Sequence, residues 1–303
     1  MYLKILIITS IILTGFLLKK AGILSKKDGE VLLNKVLFYV VLPSAIFLNI
    51  SKLPLSFDLI FLPISVWGIA LICLAAAFLY AKLVKMPNRT KGTLFAGTTM
   101  MNMQMVAYPL ISFVYGAEAF GKLLIFEFGG YLWAFTAVYF LAIYYGKSDN
   151  GEGGGIGKSF KKFLKIPPIW ALFSGIAVNL LSAPVPDFLK DVLAITSAPM
   201  LLLLLISLGI YFEPKINKIR DLAAAISIRI GIGLAAGFLM VTLFHLEGLS
   251  RIVVLVTSMM PAGYNTLVFS AKEKLDEEFA ASLVAISVIV SLAFIPLLTL
   301  FIG

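Results

Sequence analysis

Long apolar runs alternate with short polar gaps along the whole chain. The ten apolar segments lie at 2–18, 31–50, 58–81, 92–115, 123–145, 167–183, 189–212, 221–245, 250–271 and 279–302. A helix needs about 20 predominantly apolar residues to cross the hydrocarbon core of a bilayer. The pattern therefore predicts an all-α polytopic membrane protein with ten transmembrane helices. The first segment resembles its successors, so we expect a retained helix there and not a cleaved leader.

The composition agrees with a membrane protein and excludes several soluble classes. Of the 303 residues, 60% are hydrophobic and 14% are charged, which leaves too little polar surface for a soluble globule. The single cysteine, Cys73, and the single histidine, His245, are too few for an intrachain disulfide or for a zinc site built from several His or Cys. We expect neither a metal nor a cofactor.

The same inventory disfavours an intramembrane enzyme. Every aspartate lies in a polar gap or at the end of a segment, so the chain lacks the paired intramembrane Asp residues of an aspartyl protease. A Ser–His dyad would have to use His245, and no supporting motif surrounds that residue. We therefore expect no catalytic residues and no enzyme activity.

The basic residues are distributed unevenly between the gaps. Of the 25 Lys and Arg, 18 lie in the gaps that follow segments 1, 3, 5, 7 and 9, and five lie on the other side. An excess of Lys and Arg marks cytoplasmic loops, so the bias predicts a cell-membrane protein with both termini outside. Because the charges are spread over five loops, the net charge of +9 does not indicate nucleic acid. The expected partner is the lipid bilayer.

The longest polar interruption divides the chain into two equal sets of segments. We predict an N-terminal five-helix repeat at 1–145, a glycine-rich cytoplasmic linker at 146–166 and a C-terminal five-helix repeat at 167–303. Five is odd, so the second repeat would cross the membrane in the opposite sense and any similarity would be that of an inverted repeat. Pro43 in segment 2 and Pro199 in segment 7 occupy corresponding positions.

Segments 4 and 9 carry most of the polar chemistry. The stretches 97–109 and 257–266 each combine hydroxyl and amide side chains with a proline, Pro109 or Pro261. Proline removes a backbone hydrogen bond, and freed backbone groups are tolerated within a membrane only where protein or a wet cavity satisfies them. Two interrupted helices at corresponding positions are the best sequence indication of a transporter binding site.

The ends of broken helices suit a carboxylate, because they offer N–H groups and the positive end of the helix dipole. Asn102 and Asn265 would add neutral donors, and Gln104 and Tyr264 are their polar neighbours. These four residues are candidates for substrate binding. For either segment alone, the alternative is an ordinary proline kink filled by packing.

Two ionisable residues inside segments carry candidate chemistry. Arg229 lies about 12 Å along segment 8 from its predicted cytoplasmic end. It is a candidate to supply positive potential for an anion, and the alternative is a side chain that extends to the inner surface. Glu127 lies about 8 Å in from the predicted outer face. It is a candidate for proton coupling, or else an interfacial carboxylate capped by a neighbour.

Short motifs recur in a characteristic order along the chain. They are residues 15–24 after segment 1, Leu42-Pro43, Asn102 with Tyr108-Pro109-Leu110 and Tyr115-Gly116, Pro199 with Leu208-Gly209, and Met260-Pro261-Ala262 with Asn265. Together they make the whole chain resemble the auxin efflux carrier family, the permeases that include plant auxin exporters and prokaryotic carriers of small organic acids.

The resemblance implies a fold and a site. It implies two inverted five-helix repeats whose broken fourth and ninth helices cross at mid-membrane, with the substrate carboxylate held near that crossing. Carried onto this chain, it points to Asn102, Pro109, Pro261 and Asn265. The chain departs from the family in the charged stretch 272–278, which we expect to be a solvated cytoplasmic turn.

These observations predict a secondary transporter, a permease or efflux carrier that moves a small organic anion by alternating access around segments 4 and 9. The anion is expected to be a monocarboxylate or dicarboxylate. An anion channel or a membrane-embedded substrate sensor is the alternative, and flux that saturates with substrate favours the carrier. The sequence does not identify the substrate, the direction of transport or a coupling ion, and it leaves a homodimer open.

The topology is testable with the variant Ser159→Cys in a Cys73→Ser background. We expect a membrane-impermeant thiol reagent to label the new cysteine only from the cytoplasmic side, because the 146–166 linker is rich in lysine. Labelling of intact cells and of inside-out vesicles distinguishes the two faces. Labelling from outside would overturn the orientation and the depths assigned to Arg229 and Glu127.

Overall fold

The computed structural model describes residues 2–146, 165–211 and 218–302, and these residues are almost entirely helical. The predicted linker at 146–166 lies outside the described residues except at its two ends. Within the described ranges, five helices are long and apolar enough to cross a membrane, and three shorter apolar helices accompany them. The prediction of a helical, multi-pass membrane protein is confirmed at this level.

The helices of the first half follow predicted segments 1 to 5. They are α1 (Tyr2–Lys20), α2 (Lys26–Val31), α3 (Leu42–Ile50), α4 (Phe61–Leu83), α5 (Asn88–Thr99), α6 (Tyr108–Trp133) and α7 (Tyr139–Tyr145). π-helical stretches lie between them at Leu32–Val41, Met103–Ala107 and Ala134–Val138, and a 3-10 turn lies at Phe57–Ile60. Gly116 breaks α6 with a φ of 87°, a conformation that favours glycine. This break separates predicted segments 4 and 5.

The helices of the second half follow segments 6 to 10. They are α8 (Pro167–Leu180), α9 (Asp187–Ser197), α10 (Met200–Tyr211), α11 (Ile219–Ile226), α12 (Gly233–Leu243), α13 (Gly248–Ser258), α14 (Asn265–Lys272) and α15 (Glu277–Ile302). A π-helical stretch at Ser227–Ile232 joins α11 to α12. Pro199, in segment 7, lies between α9 and α10.

Contacts between the helices divide the chain into two units. The first is drawn from Met1–Ser56, Gln104–Ile125 and Leu164–Phe212. The second is drawn from Phe57–Met103, Phe126–Phe163 and Glu213–Gly303. Each unit therefore combines residues from both halves of the sequence.

In the first unit, α1 and α10 pack backbone to backbone through two glycines. A Cβ atom on Gly15 would lie 2.3 Å from the carbonyl oxygen of Ile206, and one on Gly209 would lie 2.1 Å from that of Ile12. Small residues let transmembrane helices approach this closely. Gly15 and Gly209, both within the motifs noted above, therefore have a packing role.

The same unit pairs α3 with α8. A Cβ atom on Gly175 of α8 would lie 3.0 Å from Cβ of Ile50. The Nδ2 atom of Asn179 donates to the carbonyl oxygens of Ile50 and Leu53, both at 2.7 Å. Carbonyls at a helix C-terminus lack partners within their own helix, so the Asn179 side chain caps α3.

In the second unit, α4 packs against α5 and α12, and α5 packs against α7. A buried apolar cluster joins α4, α5 and α7 to other parts of the unit; it consists of Ala70, Ala96, Met100, Trp133, Ala134, Val138, Tyr139, Ala142, Phe269 and Leu275. The indole Nε1 of Trp67 donates to the carbonyl of Gly129 at 3.1 Å, and its ring meets Trp133 edge-on at 5.3 Å. Buried neighbours thus hold α5, which leads into the interruption of segment 4.

The charged stretch 272–278 forms the turn between α14 and α15, and as expected for a solvated turn most of its charged side chains are exposed, namely Lys272, Lys274, Glu277 and Glu278, but two of its side chains are buried. Leu275 is 0% exposed and Glu273 is 5% exposed. A Cβ atom on Gly146 would lie 2.2 Å from the carbonyl oxygen of Glu273, so the end of α7 contacts this turn directly. Local charge does not reveal which neighbours the fold supplies.

Asp276 is the centre of this turn. Its carboxylate accepts hydrogen bonds from the Thr90 hydroxyl at 2.6 Å and from the backbone N–H of Phe279 at 3.1 Å, and it pairs with Lys218. Burial raises the pKa of the Asp276 carboxyl, but the donors from Lys218 and Thr90 outweigh burial and hold that pKa below its usual value. One carboxylate therefore ties the starts of α5, α11 and α15 together.

The glycine contact between α1 and α10 predicts a stability effect. We expect Gly15→Ala and Gly209→Ala each to destabilise the protein by about 1–3 kcal/mol, because the added methyl overlaps a backbone carbonyl that cannot rotate away. Thermal unfolding of the purified protein in detergent measures the change. Gly231→Ala is the control, since its Cβ would meet nothing within 4 Å. Equal behaviour of all three variants would contradict the packing role.

Candidate functional site

Segments 4 and 9 are both interrupted in the second unit. The first interruption, 100–102, follows α5, and the second, 259–264, lies between α13 and α14. The two stretches run antiparallel and pair at Met101 and Ala262. The predicted interruption of both segments is thus present, and the interrupted backbones lie against each other.

Two backbone hydrogen bonds join the interruptions. The N–H of Asn102 donates to the carbonyl of Pro261 at 2.9 Å, and the N–H of Gly263 donates to the carbonyl of Met100 at 3.0 Å. Each stretch supplies a partner that the other lost when its helix ended. We call this pair of bonded stretches, 100–102 and 259–264, the crossing.

Two serines of α15 satisfy further backbone groups of the crossing. The Ser287 hydroxyl oxygen accepts a hydrogen bond from the N–H of Ala262 at 3.0 Å. The Ser291 hydroxyl donates to the carbonyl of Met259 at 3.0 Å. The serines are four residues apart, so they lie on one face of α15. Segment 10 therefore contributes polar partners to the interruption of segment 9.

Hydroxyl groups just before each interruption bond back into their own helix. Those of Thr98, Thr99, Thr257 and Ser258 each donate to a carbonyl three or four residues earlier, at 2.7 Å. The two segments thus end their first helical parts in the same way. These hydroxyls therefore have protein partners within their own helices.

The two candidate asparagines lie where helix resumes after each interruption. Asn102 immediately precedes the π-helical stretch Met103–Ala107 and is 3% exposed. Asn265 is the first residue of α14 and is exposed, and Tyr264 before it is partly buried. Both asparagines therefore lie at the N-terminal end of a second half-helix, where the helix dipole is positive.

Pro109 and Gln104 belong to the first unit. Gln104 lies in the π-helical stretch, and Pro109 is the second residue of α6, seven residues after Asn102. Pro109 therefore does not lie at the interruption, contrary to the prediction from segment 4. Helix resumes at Met103 and runs without a gap through the π-helical stretch into α6, so Pro109 lies inside the second part of the segment. Pro261, in contrast, lies within the second interruption.

Arg229 is 0% exposed and lies in the π-helical stretch Ser227–Ile232. Its Nη1 donates to the carbonyl of Thr98 at 2.9 Å, and its Nη2 donates to the carbonyl of Ser258 at 2.7 Å. The thiol of Cys73 lies 3.9 Å from Nη1. The alternative in which this side chain extends to the inner surface is wrong, because the guanidinium is buried against α5 and α13.

Glu127 is 6% exposed in the first turns of segment 5 and is hydrogen-bonded to the Tyr131 side chain, one turn further along α6. The side chain lies in the second unit. A role in proton coupling stays a prediction.

Several residues of the crossing were missed by sequence reasoning. Ser287 and Ser291 were signalled only by their four-residue spacing in an apolar segment. Gly263 lies so close to the partner stretch that its Cβ would be 3.0 Å from the carbonyl oxygen of Met101. Gly233 has a comparable role beside Arg229. Such glycines are indistinguishable in sequence from the other glycines of membrane helices.

The fold and the crossing define a polytopic α-helical membrane protein built around two interrupted helices. The profile of a family described as membrane transport protein matches residues 1–151 and 156–299, and the chain belongs to this family, which confirms the resemblance to auxin efflux carriers. The chain is therefore that of a membrane transport protein.

Two archaeal proteins are similar to this chain over almost its whole length. An uncharacterized transporter of Methanothermobacter thermautotrophicus is 27% identical over 299 residues, covering 97% of this chain and 95% of the relative. An uncharacterized transporter of Methanocaldococcus jannaschii is 28% identical over 306 residues, covering 97% and 96%.

The polar support of the crossing predicts a stability effect. We expect Ser287→Ala to cost about 1–3 kcal/mol, because it leaves the buried N–H of Ala262 without its acceptor. Ser282→Ala is the matched control, since that buried serine of α15 donates to the carbonyl of Glu278 in its own helix. Thermal unfolding of the purified variants compares them. A larger loss in Ser282→Ala than in Ser287→Ala would contradict the assignment.

Proposed function

We propose that this transport protein is a secondary carrier of a small organic anion, with the carboxylate bound at the crossing. The observation that carries the proposal is the pair of interrupted helices whose second parts begin at Met103 and Asn265, next to the bonded stretches. The N-terminal ends of both parts favour negative charge. Carriers of several folds place their substrates at such discontinuous helices.

The residues proposed to hold the carboxylate are neutral. Asn102 and Asn265 are the amides at the two half-helix starts, and Tyr264 directly precedes Asn265 in sequence. Neutral donors bind a carboxylate without the desolvation cost of a second buried charge. The methionines around Asn102 add an adaptable apolar wall, which suits a small organic body attached to the carboxylate.

We also propose ten transmembrane helices arranged as two inverted five-helix repeats, 1–145 and 167–303, with both termini outside. The pairing of helices supports the repeat. Segment 1 pairs with segment 7 through α1 and α10, and segment 6 pairs with segment 2 through α8 and α3. In an inverted repeat, segment 1 corresponds to segment 6 and segment 2 corresponds to segment 7, so the two helix pairs are equivalent. The matching hydroxyls before the two interruptions add to this symmetry.

Alternating access at the crossing distinguishes the proposed carrier from an anion channel or a sensor. A carrier exposes one site to each side in turn, so its flux saturates with substrate. A channel would show no saturation at the same concentrations, and a sensor would bind without flux. Purified protein in liposomes, supplied with a panel of radiolabelled monocarboxylates and dicarboxylates, tests all three. Binding in a thermal-shift screen of the same panel selects the compounds.

The two asparagines provide the sharpest test of the site. We expect Asn102→Ala and Asn265→Ala each to weaken carboxylate affinity by about 10- to 150-fold, because each removes a donor worth roughly 1.5–3 kcal/mol to a desolvated anion. Asn49→Ala is the control, since its amide donates to Ala45 in its own helix. Saturable uptake gives the affinities. Wild-type affinity in the Asn102→Ala, Asn265→Ala double variant would show that the crossing is only structural.

A further inference from the structure

A fully buried positive charge lies behind the crossing. The guanidinium of Arg229 bridges two backbone carbonyls, that of Thr98 in the last turn of α5 and that of Ser258 at the end of α13. Among the described residues, the hydrogen-bond partners of this guanidinium are these carbonyls and the Cys73 thiol. Arg229 therefore contacts both interrupted helices at corresponding positions, where each first half-helix ends.

The charges at these positions are complementary. The C-terminal end of a helix carries about half a negative charge, from carbonyls that have no partner within the helix. Two such ends together present about one negative charge, which one guanidinium balances. The planar guanidinium also offers donors in a fixed fork, so one side chain reaches carbonyls on two different helices. A Lys ammonium lacks this fork.

The helix that carries Arg229 is shaped to admit this arrangement. A Cβ atom on Gly233, one turn later, would lie 2.6 Å from Nη2 of Arg229 and 2.6 Å from the carbonyl oxygen of Ser258. A Cβ atom on Gly237 would lie 2.5 Å from the Ser258 hydroxyl oxygen. Glycine at both positions therefore lets α12 approach the end of α13, and only glycine at 233 leaves room for the guanidinium.

We propose that Arg229 is a positioning residue that acts as a built-in cation, holding the ends of α5 and α13 together behind the crossing. In carriers with discontinuous helices, half-helix C-terminal ends and unwound carbonyls coordinate a bound monovalent cation. In this protein the guanidinium of Arg229 bonds to such carbonyls in place of a bound cation. It touches the carbonyls and not the substrate, and it acts through the geometry that it gives to 100–102 and 259–264.

The inference rests on the proposed function only in taking the crossing as the place where the anion binds. Arg229 fixes the ends of the first half-helices. The starts of the second half-helices, at Met103 and Asn265, are then held in place for the proposed anion. The protein should therefore gain no stability from Na⁺ or K⁺. Removal of the Arg229 side chain should create a site for a free guanidinium.

The test uses the full-length protein in detergent and thermal unfolding as the readout, so it needs no substrate. We expect Arg229→Ala to lower the unfolding temperature and methylguanidinium chloride to raise it again, relative to the same concentration of choline chloride. Arg251→Ala, which removes an exposed arginine of α13, is the matched control. We expect methylguanidinium to leave the unfolding temperatures of the control and the wild type unchanged relative to choline.

The opposite outcomes overturn the inference. An Arg229→Ala variant as stable as the wild type, or a loss of stability that methylguanidinium does not selectively reverse, would show that the guanidinium does not hold the crossing. Selective stabilisation of the wild type by NaCl or KCl over choline chloride would show that a separate cation is needed. These measurements stand even if every carboxylate in the uptake panel fails, in which case the proposed function falls and the role of Arg229 is judged separately.

A second pair of variants keeps the inference testable if Arg229→Ala does not fold. Gly233→Ala retains the charge but forces the guanidinium from its place, whereas Gly231→Ala adds the same methyl on the same helix into open space. We expect only Gly233→Ala to lower the unfolding temperature. Where uptake is measurable, only this variant should lose carboxylate affinity, by about 5- to 150-fold, the usual range of coupling between sites. Indistinguishable behaviour of the two alanine variants would overturn the inference.

Discussion

The requirement that buried backbone groups be hydrogen-bonded governs this structure. A membrane interior offers no water to satisfy an N–H or a carbonyl that leaves a helix. The two interruptions satisfy each other's backbone groups: the N–H of Asn102 donates to the carbonyl of Pro261, and the N–H of Gly263 donates to the carbonyl of Met100. The serines of α15 supply hydrogen-bond partners to backbone groups of the second stretch, and Arg229 donates to carbonyls at the ends of α5 and α13. Each helix break is therefore stable only because the other is present, and the two form a single structural feature.

Close helix packing places this feature. Glycines at backbone contacts recur in both units, as at Gly15 in the first and Gly129 in the second. Where helices face one another in lipid, no hydrophobic driving force brings them together, so contact between backbones and a few polar bonds supply the attraction. The hydrogen bonds of the Asp276 carboxylate add such bonds at the start of α5. Rigid neighbours thus fix the helices that lead into the crossing.

The functional proposal follows from what the crossing leaves for a ligand. The hydroxyls before the interruptions bond to their own helices, and the carbonyl ends of those helices are bonded to Arg229. The helix starts beyond the interruptions, with their asparagines, favour an anion. This polarity at the interrupted helices is the support for the proposed carboxylate substrate. The same division of partners separates the proposed positioning role of Arg229 from the proposed substrate binding by Asn102 and Asn265.

The sequence by itself determined the class of protein, most helix positions and the two interrupted segments. It did so because the length of an apolar run and the presence of proline or glycine affect the conformation of the segment that contains them. Only the tertiary structure decided that Pro109 lies beyond its interruption, that Glu273 and Leu275 are buried within a charged turn and that Arg229 bonds to α5 and α13. These features depend on groups far apart in sequence. Partners such as Ser287 and Gly233 carry no local signal, because their role exists only when another helix reaches them.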